Sequence, residues 1–276
     1  MSGRRAFKLA AGFCTAAVLV FAGVFVYRNT ENKKDTQDDR SLDLVLESNE
    51  LIIGLDTEFP PMGFVNESGE IVGFDIDLAQ EVCDRLGVEL VKQPLDWDYK
   101  EEYLYTGAID CIWNGFSVTP ERAAEMNLSD PYLKNTLIFV VTEQSTIKNM
   151  SDLKGKTVGV QSGSSAKEAL EESCLASDIN IRFFDDNLDM TNELKNNGID
   201  AAFFDSIMAY YFLLSDNEQY YVLPDSLGEE EIAVAFRNDD YSLRNKVQEI
   251  LYEMKSDGTL AEISKKWFGC DITIVR

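Results

Sequence analysis

No histidine occurs anywhere in the 276-residue chain. That absence excludes Ser-His-Asp and Cys-His nucleophile systems, and HExxH zinc sites with them. Cysteine is sparse as well. Cys14, Cys83, Cys111, Cys174 and Cys270 form no CxxC pair and no metal-ligand spacing, so they read as small buried hydrophobes, with a bridge between Cys174 and Cys270 left open. Positive charge is scarce: 25 Lys plus Arg stand against 49 Asp plus Glu, a net charge of −24. Such a surface repels nucleic acid and anionic membrane alike, and no nucleic-acid partner is expected.

Nucleotide and metal motifs fail on spacing. Gly155-Lys156-Thr157 has the end of a P-loop, but the required first glycine is Met150, and Lys156 precedes its strand instead of following one. Gly159 to Gly163 lacks the GxGxxG pattern. The acid clusters Asp185-Asp186 and Glu229-Glu230-Glu231 lack the EF-hand loop and read as solvated surface. No cofactor and no metal ion is expected.

What the chain has is apolar content of 45%, enough for one large or two modest units with a real core. The amino end is a separate object. Arg4, Arg5 and Lys8 precede the apolar stretch Leu9 to Tyr27, close to the roughly 20 residues a spanning helix needs. No clear A-x-A site follows, so residues 1–29 read as a membrane anchor or signal segment, with retention favoured. Cys14 lies too early in the apolar stretch, after Phe13, for a lipobox. The remainder is then placed outside the cytoplasm. Residues 30–48, polar and acidic, read as a flexible tether.

From Glu50 onward, strand and helix signals alternate. Leu51 to Leu55 is an apolar strand, and Phe64 to Gly73 has hairpin character around Glu67-Ser68-Gly69-Glu70. Asp75 to Leu86 carries a helical stripe stopped by Gly87. Val88 to Val91 is the next strand; Trp97 sits in a loop before a helix near Tyr99 to Tyr105. The alternation repeats with strands at Leu137 to Thr142, Thr157 to Val160, Ile181 to Phe184, Ala201 to Phe204 and Ile232 to Phe236, and it predicts two α/β lobes with parallel-type sheets flanked by helices.

The stretch Gly107 to Tyr132 concentrates the chemistry. An apolar strand from Ala108 to Trp113 is ended by Asn114 and Gly115, and a helix opens with Thr119 as N-cap, Pro120 first and Glu121 in the first turn. Arg122 follows on that turn. Unpaired N–H groups beside a planar guanidinium fork make a trap for a carboxylate.

Taken in order, GLDTEFPPMGF, GEIVGFDIDLAQEVCDRLGV, GAIDCIWNGFSVTPERAAEMNLSDPY, DLKGKTVGVQSGSS, IDAAFFD and MKSDGTLAEISKKWFG closely resemble the extracytoplasmic solute-binding proteins of polar amino acid ABC transporters. That family includes lysine/arginine/ornithine-, glutamine- and histidine-binding proteins. The resemblance runs from about Leu51 to Gly269. It implies a type II periplasmic-binding-protein-like fold whose two lobes are joined by two strands, near Leu137 to Val141 and Glu230 to Ala233. Lobe 1 would comprise residues 49–137 plus 233–276, and lobe 2 residues 138–232.

By the same resemblance, Arg122 matches the arginine that grips a ligand α-carboxylate, helped by backbone N–H groups near Ser117 and Ser165. Asp205 matches the acid for the α-ammonium, with the Gly115 carbonyl and the Ser117 hydroxyl. Phe59 and Trp97 match the aromatics that sandwich the ligand side chain. Asp56, Asn114 and Gln161 fall where side-chain specificity is set. Asn114 and its neighbour Trp113 replace smaller residues, and Gln161 stands where glutamine binders carry a lysine. The implied ligand is a free polar amino acid, glutamine, cystine or a basic one, and the implied partner is an ABC permease, with the protein itself a monomer and not an enzyme. Two alternatives remain open. One is a cyclohexadienyl-dehydratase-like enzyme with Glu58 as the spare acid. The other is a ligand-sensing ectodomain, which the short segment Met1 to Lys8 disfavours.

Overall fold

The structure is a computed structural model that describes residues 39–215 and 220–275. The anchor or signal segment, Cys14 and most of the expected tether lie outside them. Among the described residues no helix is long and apolar enough to cross a membrane. The tether reading fails at its end, because Ser41–Ser48 is a helix, α1, which seats Val45 in the core and hydrogen bonds Ser41 Oγ to Ser242 Oγ at 3.0 Å. Local polarity concealed a helix whose stability comes from docking.

The chain continues through β1 (Glu50–Leu55), a small ribbon of β2 (Glu58–Phe59), β3 (Gly63–Val65) and β4 (Ile71–Val72), then α2 (Phe74–Leu86) and β5 (Glu89–Pro94). Trp97–Tyr99 is a 3-10 turn where a plain loop was expected, and α3 (Lys100–Tyr105), β6 (Cys111–Ser117), α4 (Pro120–Glu125), β7 (Asn127–Leu128) and β8 (Leu133–Thr142) follow. The second half has β9 (Thr157–Gln161), α5 (Ser165–Glu172), β10 (Asn180–Phe184), α6 (Asn187–Lys195), β11 (Ala201–Asp205), α7 (Ser206–Ser215) and β12 (Tyr220–Phe236). Two helices, α8 (Tyr241–Asp257) and α9 (Thr259–Phe268), close the chain.

Nine strands form one sheet in the order β10-β9-β11-β8-β12-β6-β1-β5, with β7 paired to β12. The flanks β5-β1-β6 and β10-β9-β11 are parallel, as the alternation of strands and helices predicts. Between them β8 and β12 pair antiparallel along most of their length, from Tyr220 opposite Thr142 to Ile232 opposite Leu133. These two strands are the two-strand hinge of a two-lobe α/β fold. The expected strand Ile232 to Phe236 is only the end of β12. Its polar first part, with Pro224 and Gly228, reads as loop in isolation and becomes strand because β8 supplies its backbone partners.

Burial explains the lobes. On β8, Leu137, Phe139 and Val141 enter the second-lobe core, where Phe139 and Phe203 stack with centroids 4.3 Å apart, while Ile138 and Val140 face the other way. Leu51, Ile53 and Leu55 pack with the α2 stripe and with Leu243, Val247, Leu251 and Met254 of α8, so the carboxy-terminal helices return to β1 and α2. A bond from Ile274 N–H to the Tyr132 carbonyl at 2.9 Å ties the end of the chain there too. Cys83 and Cys111 are buried as expected; Cys174 and Cys270 are exposed and free, so the pairing left open between them is not made.

Candidate functional site

Strand β6 is longer than the sequence suggests. It runs on through Asn114 and Gly115 to Ser117, because Ile232 and Ala233 of β12 pair with Ser117 and Phe116. This carries Asn114, Gly115 and Ser117 to the sheet edge that opens between the lobes. Gly115 has φ +57°, and a Cβ there would sit 2.4 Å from Phe59 Cε1, so glycine is needed both for the backbone and for the aromatic ring. Its N–H is held by buried Asp75 at 2.6 Å, and Asp75 also accepts from the Tyr132 hydroxyl at 2.8 Å.

The next turn forms as predicted. Thr119 Oγ1 caps α4 by accepting from the Arg122 N–H at 3.2 Å, with Pro120 at the first position. This aims the Arg122 side chain back along β6. The guanidinium is buried at 4% exposure, lies 4.5 Å above the Phe116 ring, and donates to the carbonyls of Ser117 at 3.1 Å and Gly163 at 3.3 Å. Its Nε has no partner among the described residues, and Glu168 stands 3.6 Å from Nη2. A buried cation with capacity to spare is an anion receptor.

Asp56, Phe59, Trp97, Asn114, Gly115, Ser117, Arg122, Gln161, Ser165 and Asp205, ten residues scattered over 150 positions of sequence, line one cleft together with Ser164. The cleft is nearly shut by its own side chains, with a cavity volume of only about 20 Å³ open to a water-sized molecule. Both lobes contribute, and they touch: Gln161 Nε2 donates to Asp56 at 2.7 Å, and Lys100 Nζ donates to the Gly163 carbonyl at 2.9 Å. Phe59 and Trp97 are both nearly buried, and Trp97 meets Phe116 edge-on at 6.3 Å.

Charge is separated along the cleft. At one end burial, then the charge of Arg122, lowers Lys100 to about 8. Burial also pulls Arg122 down, opposed by Glu168, yet a guanidinium stays charged. At the hinge end Asp205 keeps one edge open to the cleft but is packed about by protein. That burial, then the charge of Glu230, raise its carboxyl to about 7, against the pull of Arg122. At the third corner burial raises Asp56, against bonds from the Glu58 N–H and Gln161. Gln161 is oriented by Asn187, which donates to its Oε1 at 2.7 Å, and Asn114 Oδ1 accepts from the Asp56 N–H at 3.2 Å. Glu58 is raised by burial and by neighbouring acids, but it is not among the residues lining the cleft.

Sequence reasoning missed four participants. Lys100, Asp75 and Asn135 are not among the expected site residues. Glu230 belongs to the acid run read as solvated surface; instead its Oε2 accepts from the Ser117 hydroxyl at 2.8 Å. Its position in the second hinge strand was the available signal.

A two-lobe α/β fold with an enclosed, charge-separated cleft on its hinge defines a small-molecule binding protein. Residues 51–270 match the family of bacterial extracellular solute-binding proteins, family 3, and the chain belongs to that family. The L-cystine-binding protein TcyJ of Escherichia coli (strain K12) is 32% identical over 259 residues, 93% of this chain and 94% of that protein. The arginine-binding extracellular protein ArtP of Bacillus subtilis (strain 168) is 36% identical over 222 residues, 79% of this chain and 86% of that protein. Among solved structures, an ABC uptake transporter substrate-binding protein from Streptococcus pneumoniae with bound histidine has a TM-score of 0.83 and 35% identity, covering 86% of this chain and 98% of that one.

Proposed function

We propose that the protein is the extracytoplasmic substrate-binding component of an amino acid ABC importer, which captures a free polar amino acid between closing lobes and delivers it to a membrane permease. The observation that carries this is the placement of buried, under-satisfied Arg122 and acidic Asp205 in one closed cleft. Arg122 holds the α-carboxylate with the N–H groups near Ser117 and Ser165. Asp205, the Gly115 carbonyl and the Ser117 hydroxyl hold the α-ammonium. Phe59 and Trp97 flank the ligand side chain, and Asp56, Asn114 and Gln161 read its end, which suits glutamine, cystine or a basic amino acid. The closing units are residues 49–137 with 233–276, and residues 138–232. Because the cage draws on both, full binding energy is gained only on closure.

The protein acts as a monomer and not as an enzyme. Support comes from Glu58, the spare acid, standing outside the cleft lining. The segment Leu9 to Tyr27 holds the protein at the membrane; recovery of mature protein beginning after Tyr27 in the medium would show a cleaved signal instead. Calorimetry with L-cystine, L-arginine, L-histidine and L-glutamine tests the reading. One-to-one binding of at least one is expected. Binding of none, or turnover of prephenate to product, contradicts it.

A further inference from the structure

Behind the Asp205 end of the cleft, five hydrogen bonds orient the polar side chains. The Thr136 N–H donates to Ser206 Oγ at 3.3 Å, so the Ser206 hydroxyl proton goes to Asn135 Oδ1 at 3.2 Å. That sets the amide of Asn135, whose Nδ2 then donates to Asp205 Oδ1 and, at 3.3 Å, to Glu230 Oε2. The same Glu230 oxygen takes the Ser117 hydroxyl at 2.8 Å. An ionised carboxylate only accepts, so the Ser117 proton points at Glu230 and its lone pairs are left for the cleft. Asp205 and the Gly115 carbonyl add further acceptors, and among the described residues these bonds leave no side-chain donor of Ser117, Asn135 or Ser206 free at this end.

On the reading that the cleft holds a free amino acid, we propose that Glu230 is a positioning residue of the ammonium subsite. By absorbing the Ser117 and Asn135 donors, it makes that end of the cleft an acceptor-only, doubly acidic site, selective for a full –NH3+ over any ligand lacking it. Three elements are coupled through one carboxylate: β6 by Ser117, β8 by Asn135 and the hinge strand β12 by Glu230 itself. The charged groups facing the pair are Arg122 from α4 and Glu121, Glu168 and Glu172, which share a groove with Glu230. Of these only Arg122 is cationic, and it is turned to the Ser117 and Gly163 carbonyls. Burial and the neighbouring Glu230 charge therefore keep a proton on Asp205 near neutrality when no ammonium is there, and an arriving ammonium displaces it. Affinity rises with pH through about 7.

The test uses Glu230→Gln and the charge-keeping Glu230→Asp in the full chain. Carboxyl-carbon NMR of ligand-free protein should show the Asp205 midpoint falling in Glu230→Gln and staying near the parent value in Glu230→Asp. An unchanged midpoint in folded Glu230→Gln overturns the coupling, whether or not any amino acid binds. Calorimetry then compares L-arginine and L-cystine, each with its des-amino analogue. The preference for the amino form should shrink about tenfold in Glu230→Gln, the weight of one charge-assisted hydrogen bond, and the rise of affinity through neutral pH should flatten. Unchanged preference and pH profile overturn the proposal. If Glu230→Gln does not fold, Ser117→Ala should reduce the same preference, and an undiminished preference there is equally fatal. A shifted Asp205 midpoint in a protein that binds none of L-cystine, L-arginine, L-histidine and L-glutamine would leave the coupling standing and bring down the transport reading instead.

Discussion

Asp75 offers a test of the site's buried scaffold by pH alone. It is fully buried on the first turn of α2, and among the described residues its carboxyl is bonded by the Gly115 N–H and the Tyr132 hydroxyl, both neutral. Burial raises its carboxyl from 3.8 to about 7, with those two bonds opposing. Between these values the folded protein keeps a proton that the unfolded chain has released, so stability falls as pH rises through this window. At about 1.4 kcal/mol per pH unit, the ionised form costs roughly 4 kcal/mol by about pH 8. Asp75→Asn freezes the neutral form: its oxygen accepts from the Gly115 N–H, and its amide faces the Tyr132 hydroxyl, which turns from donor to acceptor as it does toward the protonated acid. The variant should match the parent near pH 4 and exceed it by up to roughly 4 kcal/mol near pH 8. Urea unfolding at the two pH values measures this, and Asp205, which shifts in the same direction, cancels in the comparison. A variant that differs from the parent equally at both pH values would refute the reasoning.

Two further outcomes follow from the cleft. Gly115→Ala places a methyl 2.4 Å from the Phe59 ring at a positive φ; the fold should survive with about 1 kcal/mol lost, while displacement of Phe59 weakens calorimetric affinity by at least about tenfold. A saturating amino acid should shrink the protein in small-angle scattering and raise its melting temperature, and identical curves with and without ligand would count against closure.

Much of the architecture is legible because its signals are local. The α2 stripe with Gly87 behind it, the Thr119-Pro120 helix start and the apolar runs of β1, β9 and β11 each declare themselves within a few residues. What is illegible depends on a partner far away. Tyr220 to Glu231 is polar and broken by Pro224 and Gly228, and only pairing with β8 makes it a strand. Helix α1 exists because α8 receives it. In the cleft, residues of distinctive type such as Arg122, Trp97 and Gly115 stand out in the sequence. Glu230, Lys100 and Asp75 do not, since one acid or one lysine among many gives no hint of which is buried until strands 40 to 113 positions apart are brought together.

The central claim is that Arg122 grips the carboxylate of a free amino acid. Its side chain lines the cleft and touches the core only at the Phe116 ring, so Arg122→Ala should fold. It removes one partner of a desolvated ion pair, a loss of roughly 3 to 5 kcal/mol, or about two to four decades of affinity. Arg122→Lys should rescue this only in part, because an ammonium lacks the planar fork. Calorimetry of Arg122→Ala against whichever of L-cystine, L-arginine, L-histidine and L-glutamine the parent binds is the direct measurement. The account predicts binding weakened by about a hundredfold or more, while affinity within about tenfold of the parent in a folded variant would contradict it.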